Sequence, residues 1–276
     1  MADTAAPSAE EVGVYYDEMA DFAKLLFGDS IHMGYWDDEA GQTVSEAQDR
    51  LTQVIIDTTG ASAGQRLIDV GSGTGRPAVL LAQQTGASIV GINVSVGQVA
   101  SATALARDSG VSDLVTFAVA DAMDIPYPEG SFDLVWAMES LSHMKDRVAA
   151  LREMQRVLKV GGRLVVTDIS EIAEMDPGDR ELLFTCFLMS SLEAHDRYPE
   201  VVREAGFELV AVHDLTPRVN TTLERVAEGY VQKRDKIVAR YGEDFAREVD
   251  GDFPRLGAAM RNCLGYLLIV ARKPAA

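Results

Sequence analysis

Leu67-Ile68-Asp69-Val70-Gly71-Ser72-Gly73-Thr74-Gly75 runs from an apolar stretch into a turn with glycine at alternate positions. Arg66–Val70 has the length and apolar character of a short buried strand. Arg76 to about Gln84, closed by Gly86, reads as the helix that follows it. Glycines between a strand and a helix allow a tight turn and let a ligand come close to the backbone. Dinucleotide sites use such a loop too, but two details argue against one here. The spacing is G-x-G-x-G, with Arg76 where the dinucleotide fingerprint wants its third Gly or Ala. Ile92, at the end of the next apolar stretch, is followed by Asn93 rather than by an acid for the ribose hydroxyls. No Gly-Lys-Ser/Thr follows the glycines, which excludes a phosphate-binding P-loop.

Strand–helix alternation continues on the carboxyl side. Ser88–Ile92, Leu114–Val119, Phe132–Ala137 and Arg163–Asp168 read as strands, with helices over Val96 to Asp108 and Lys145–Leu158. Farther on, helices are expected over Arg180–Leu192, Tyr198–Ala205, Thr222–Tyr241 and Gly242–Arg261. Two last strands are expected over Phe207–His213 and Gly265–Ala271. The fold class is therefore α/β, a Rossmann-like, doubly wound, seven-stranded and mostly parallel sheet. On the amino side, Met1 to Pro7 is expected to be disordered. Ser8-Ala9-Glu10-Glu11 and Thr43-Val44-Ser45-Glu46 have capping-box form and open helices that end near Phe27 and Gly60, with a loop from Gly28 to Gly41 between them. The expected organisation is an N-terminal helical segment, 1–60, over the active site and a core, 61–276. Helical lid insertions at about 171–205 and 217–262 form a cap.

Composition bounds the partners. The 276 residues carry a net charge of −18 with no Lys/Arg cluster, which disfavours nucleic acid and anionic lipid surfaces as partners. No apolar run approaches the roughly 20 residues a membrane span needs. Met1 to Glu11 has no basic n-region or apolar h-region, so a cytoplasmic enzyme is expected. Cys186 and Cys263 lack metal-site spacing and suggest no disulfide framework; both are expected to be core thiols, and no metal is expected.

At this point the chain resembles the class I S-adenosylmethionine-dependent methyltransferases, over roughly Val12 to Asp168. Asp69 to Gly75 is similar to their first motif, and Asp121-Ala122 to their adenine-binding acid and backbone contact. Leu151 to Gly162 is similar to the helix and turn before their fifth strand. Gly75-Arg76-Pro77-Ala78, Asn93 with Gln98, Glu139-Ser140-Leu141-Ser142-His143-Met144 and His32-Met33-Gly34-Tyr35-Trp36 resemble a small-molecule subgroup. That subgroup includes the rebeccamycin sugar O-methyltransferase, the tocopherol and sterol C-methyltransferases and many natural-product enzymes. The resemblance implies S-adenosylmethionine as cofactor, held by Asp69, Gly71, Gly73, Gly75, Asn93, Gln98, Asp121 and Ala122. Most class I enzymes have an acid where this chain has Asn93.

The resemblance also implies the chemistry. A sulfonium methyl is already activated, so the protein mainly holds the reacting atoms in line. An oxygen or nitrogen acceptor gains from a base, and histidine suits that role. His143 is the candidate general base and Asp168 the second catalytic candidate. In rebeccamycin-type enzymes the matching segment has two adjacent histidines, and Ser142 replaces the first of them. Tyr16 lies on the apolar stripe of the first helix, where it could pack or fasten that helix over the cofactor. Tyr35 and Trp36 could wall a pocket or merely anchor their loop. Phe184 and Phe187, with Leu188 and Met189, fall where the family builds its acceptor lid, which implies an acceptor that is at least partly apolar. His32 reads as structural, and His195 and His213 as incidental. The expected function is O-methylation of a small natural product. Alternatives are C-methylation of an alkene or aromatic carbon, a methyltransferase-like cyclase and, from another class, an NAD-dependent reductase. A protruding first helix could exchange between subunits of a homo-oligomer.

Overall fold

Ser8 and Glu11 satisfy each other's backbone N–H groups, at 3.2 and 2.7 Å, and so start α1 (Ala9–Phe27). Thr43 and Glu46 repeat the device for α2 (Val44–Thr59), which stops at left-handed Gly60. The computed structural model describes residues 6–37 and 41–275. Residues 1–5 of the stretch expected to be disordered, and 38–40 of the loop expected after Phe27, lie outside the described residues.

Seven strands form one sheet: β1 (Arg66–Val70), β2 (Ser88–Asn93), β3 (Val115–Val119), β4 (Phe132–Met138), β5 (Leu158–Glu171), β6 (Glu208–Asp214) and β7 (Leu264–Arg272). Their order is β3-β2-β1-β4-β5-β7-β6, and only β7 runs antiparallel to its neighbours. Inner strands are apolar on both faces because helices cover both. Leu67, Leu134, Trp136 and Val165 pack on one side with α2, α3 (Arg76–Thr85) and the carboxyl-terminal helices. Their alternate neighbours Ile68, Val135, Leu164 and Val166 pack on the other side with α5 (Arg147–Val157). Between α3 and α5, α4 (Val96–Asp108) connects β2 to β3. Strand order reverses between β1 and β4, so a crevice opens at the carboxyl ends of those strands, where ligands of such sheets bind.

Several boundaries differ from expectation. β5 extends on both sides of Arg163–Asp168, because Leu158 pairs with Phe132 of β4 before it and the ladder with β7 runs on to Glu171 opposite Leu264 after it. The helix expected over Arg180–Leu192 is α6 (Pro177–Cys186), capped by Asp176, and it ends early. Leu188 takes φ +44°, and the Ser190 and Ser191 N–H groups donate to the Ser142 carbonyl at 2.8 and 3.3 Å. That tie to the loop after β4 pulls the segment out of helical register. α7 (Tyr198–Glu204) packs on α5 and β6, in the core layer rather than over the crevice. A short α8 (Thr216–Val219), started by Pro217, precedes the expected α9 (Thr222–Tyr241) and α10 (Glu243–Cys263). The two cysteines are half-buried rather than fully in the core.

The first helix does not protrude. It lies against α4 and α9, with Phe22 set edge-on against both Tyr241 and Phe245, which also contact each other. No helix among the described residues is long and apolar enough to cross a membrane.

Candidate active site

Two adjoining cavities occupy the crevice. The larger, of about 320 Å³, is lined by the loop after β1 and by the carboxyl ends of β2, β3 and β4. Gly71 begins it at φ +80°, and a Cβ there would meet Ser140 Cβ at 2.4 Å, so no side chain fits where the loop crosses β4. Asp69, Gly71, Gly73, Asn93, Gln98, Asp121 and Ala122 all line this cavity. Gly75 does not; it sits behind the loop as the amino cap of α3.

The walls suit a ligand that carries positive charge and hydroxyls. Asp69 is buried, and burial alone pushes its carboxyl up to about 7, a cost that a cation beside it would relieve. Ser30 Oγ, Ser72 Oγ and Trp136 Nε1 are buried without hydrogen-bond partners, and all three residues line the cavity. The Asn93 amide donates to Gln98 Oε1 at 2.8 Å and accepts from the Ser95 N–H at 3.0 Å, which leaves the Gln98 amide N–H groups free to donate. Asp121 accepts from Met123 N–H at 2.8 Å, which fixes the loop that presents Ala122. S-adenosylmethionine, with its sulfonium, ammonium, ribose diol and adenine, fits this donor and acceptor set.

The smaller cavity, of about 50 Å³, adjoins it and is mainly apolar. Phe27, Leu183, Phe187, Met189 and Met260 are among its walls, with polar Tyr16, His32, Glu139, Ser142, His143 and Asp168. Tyr16, His32, Glu139 and His143 border both cavities. His143 Nδ1 lies 3.1 Å from the Leu188 carbonyl, which can only accept, so Nδ1 carries the proton. Nε2 is then the basic lone pair, and the Tyr16 hydroxyl donates to it at 3.1 Å. Burial lowers the His143 pKa, keeping the ring neutral.

Asp168 is less free than a catalytic base would be. Its Oδ2 accepts from the Tyr198 hydroxyl at 2.7 Å, its Oδ1 accepts from Ile169 N–H, and Arg147 lies 4.0 Å away. Tyr35, Trp36 and Phe184 line neither cavity. Tyr35 lies between the Arg50 and Arg218 guanidinium groups, and Trp36 Nε1 donates to Thr222 at 2.9 Å; both anchor their loop. Phe184 packs beneath Arg180. His32 is buried with Nδ1 2.7 Å from the Met33 carbonyl, and burial pushes its pKa down to about 4. His195 bonds Ser170 at 2.8 Å, and His213 is exposed on the edge strand.

Glu139 is the site residue that sequence reasoning did not single out. It follows β4 at φ +51°, an uncommon conformation for a residue with a side chain. Its carboxylate accepts from Met33 N–H at 2.9 and 3.2 Å and from the Tyr266 hydroxyl at 2.7 Å. Burial pushes it up to about 7. An acid directly after the fourth strand, four residues before His143, was the available signal.

The reversed strand order, the glycine loop and a cation-matched cavity beside an apolar one define a Rossmann-like S-adenosylmethionine-dependent methyltransferase. Residues 68–166 match the family described as a methyltransferase domain. The chain is 35% identical over 270 residues to (+)-O-methylkolavelool synthase of Herpetosiphon aurantiacus, covering 97% of this chain and 95% of that protein. It is 35% identical over 272 residues to 27-O-demethylrifamycin SV methyltransferase of Amycolatopsis mediterranei, covering 97% and 98%. Among solved structures, the [4+2]-cyclase SpnF superposes with a TM-score of 0.85 at 34% identity, covering 99% of each chain. The protein belongs to the methyltransferase family that acts on small molecules, and S-adenosylmethionine is its cofactor.

Proposed function

We propose that the protein methylates a hydroxyl oxygen of a mainly apolar small molecule, with His143 as general base. The observation that carries this reading is the His143 ring. Its Nδ1 proton is held by the Leu188 carbonyl, its Nε2 lone pair accepts from Tyr16, and both His143 and Tyr16 border the two cavities. When bound, the cofactor supplies a methyl group already activated on sulfur. Asp69, Gly71, Gly73, Asn93, Gln98, Asp121 and Ala122 would hold it, with the amide pair toward the ribose. His143 takes the acceptor's proton as the oxygen gains the methyl group. Asp168 supports the resulting imidazolium from within its network with Arg147 and Tyr198.

The apolar walls of the smaller cavity, with carboxylates and no Lys or Arg among its lining residues, favour a mainly apolar acceptor without negative charge. At about 50 Å³ it must widen to admit one, and α1, α6, α9 and α10, which supply its apolar walls, are the elements that would have to shift. Both relatives above are named for O-methyl groups. Exchange of α1 between two copies, the association the sequence allows, would remake its contacts with α4 and α9 on the partner copy.

Incubation with methyl-labelled cofactor and a panel of apolar alcohols and phenols tests the reading by product mass and by the NMR shift of the labelled methyl group. Label on oxygen supports it. The likeness to a cyclase gives a second reading some weight; an unlabelled isomer of the acceptor would favour that reading, and label on carbon would reassign the accepting atom.

A further inference from the structure

Asp17 lies outside both cavities, on the exposed side of α1, yet it reaches the loop that carries the candidate ribose pair. Its Oδ1 accepts from the Ser95 hydroxyl and, at 3.0 Å, from the Gly97 N–H. Ser95 is fully buried and is the amino cap of α4; its hydroxyl accepts from the Gln98 N–H at 2.9 Å. Ser95 N–H donates to Asn93, and Asn93 donates to Gln98. Asp17, Ser95, Gln98 and Asn93 are thus one closed network, with Asp17 its single member from the N-terminal helix.

The backbone is cut to allow this approach. A Cβ on Gly13 of α1 would meet the Val94 carbonyl oxygen at 2.7 Å, and a Cβ on Gly97 would meet Asp17 Oδ1 at 2.6 Å. Glycine on each side of the contact lets helix and loop touch where larger residues would hold them apart. A carboxylate at the first turn of α4 also meets unpaired N–H groups and the positive end of the helix dipole.

We propose that Asp17 is a positioning residue for the cofactor: through Ser95 and Gly97 it holds Asn93 and Gln98 in the arrangement that receives the ribose hydroxyls. The cofactor site is therefore complete only when α1 is docked. This inference rests on the reading that Asn93 and Gln98 take the ribose.

Calorimetric titration of the full-length protein with S-adenosylhomocysteine tests it, alongside thermal unfolding of each unliganded variant. Asp17→Ala should weaken binding by about tenfold, equivalent to ~1.4 kcal/mol. Asp17→Asn, which keeps an acceptor oxygen, should recover most of that loss. Gln98→Ala should weaken binding by itself, and adding Asp17→Ala to it should weaken binding little further, because the two act through one network. Asp21→Ala, which removes the ion pair of α1 with Arg240 on α9, should leave affinity unchanged. Protection of the Gly97 amide from hydrogen exchange should fall in the unliganded Asp17→Ala protein. If Gln98→Ala leaves affinity intact, the ribose reading fails and this inference with it. If Gln98→Ala weakens binding and Asp17→Ala does not, the inference alone fails. Additive losses in the double variant, or an equal loss from Asp21→Ala, would also overturn it. Should Asp17→Ala not fold, Ser95→Ala carries the same expectation for affinity, and an unchanged affinity there overturns the proposal.

Discussion

The Tyr16 hydroxyl donates to His143 Nε2 at 3.1 Å, which places a residue of the first helix on the one lone pair of the candidate base. The rings meet edge-on with centroids 5.5 Å apart. An acceptor hydroxyl must either displace Tyr16 from that lone pair or bond to the pair together. Neighbours of Tyr16 on the same helix turn point elsewhere. Tyr15 donates to the Cys186 carbonyl at the end of α6, at 2.6 Å, and Asp17 binds the start of α4. One turn of α1 therefore touches the end of α6, the candidate base and the start of α4 together.

Replacement of His143 by Ala or Gln should lower kcat by roughly a hundred- to ten-thousand-fold, the usual contribution of a positioned base. Affinity for S-adenosylhomocysteine should change little, since Tyr16, Glu139 and the glycine loop remain. Single-turnover rates and calorimetry on the same preparations separate the two effects. A variant with full kcat would remove His143 from the mechanism.

Parts of this site that lie close together in the chain were legible in the sequence. Asp69 to Gly75, Asn93 with Gln98 and Asp121-Ala122 each sit directly after a strand, and strand ends in a doubly wound sheet converge by topology. Contacts between distant segments were not legible. Glu139 is fixed by Met33, 106 residues away, and Asp17 by Ser95, 78 residues away; neither pairing leaves a local pattern. Phe184 and Phe187 were joined by extending a helical period past Cys186, whereas the turn at Leu188 depends on the Ser142 carbonyl. Tyr35 and Trp36 show a different limit, because pocket walls and loop anchors draw on the same aromatic residues.

Cofactor binding should depend on pH through Asp69. Its carboxyl, pushed up to about 7 by burial, must be ionised to face a cationic ligand. Below that value the protonated fraction rises, and each binding event must first release a proton. Affinity for S-adenosylhomocysteine should therefore weaken as pH falls from 8 toward 6, approaching about tenfold per pH unit at the acid end. Asp69→Asn should bind more weakly at pH 8 and show a flatter profile. An equally steep profile in that variant would assign the proton to another group, Glu139 first.

Removal of Asp168 should read mainly as lost stability. Asp168 and Arg147 are both buried, at 1% and 7% side-chain exposure, and Asp168 also holds the Tyr198 hydroxyl. Asp168→Ala leaves the guanidinium buried without its counter-charge, a change that costs about 3–5 kcal/mol in comparable sites. Asp168→Asn keeps an acceptor for Tyr198 and should lose less. Chemical denaturation of the two variants measures this directly. If Asp168→Ala unfolds at the wild-type midpoint and only kcat falls, the residue acts on the chemistry rather than on the network.

Glu139 separates geometry from charge. Its carboxylate gathers the Met33 N–H and the Tyr266 hydroxyl at the boundary of the two cavities, on a backbone at φ +51°. Asp or Ala at this position leaves those donors short of an acceptor, and each buried donor left unpaired costs about 1–3 kcal/mol. Glu139→Gln retains length and one acceptor oxygen, so its fold should hold while the negative charge at the boundary of the two cavities is lost. Glu139→Gly relaxes the left-handed backbone but removes the acceptor altogether. The expected order of thermal midpoints is therefore wild type and Glu139→Gln close together, with Glu139→Gly and Glu139→Ala below. Glu139→Gln should nonetheless lower kcat by about tenfold or more above pH 7, where the carboxyl that borders both cavities is mainly ionised. A Glu139→Gln enzyme with unchanged kcat would show that the carboxylate serves only to fasten the loop at Met33 and the hydroxyl of Tyr266.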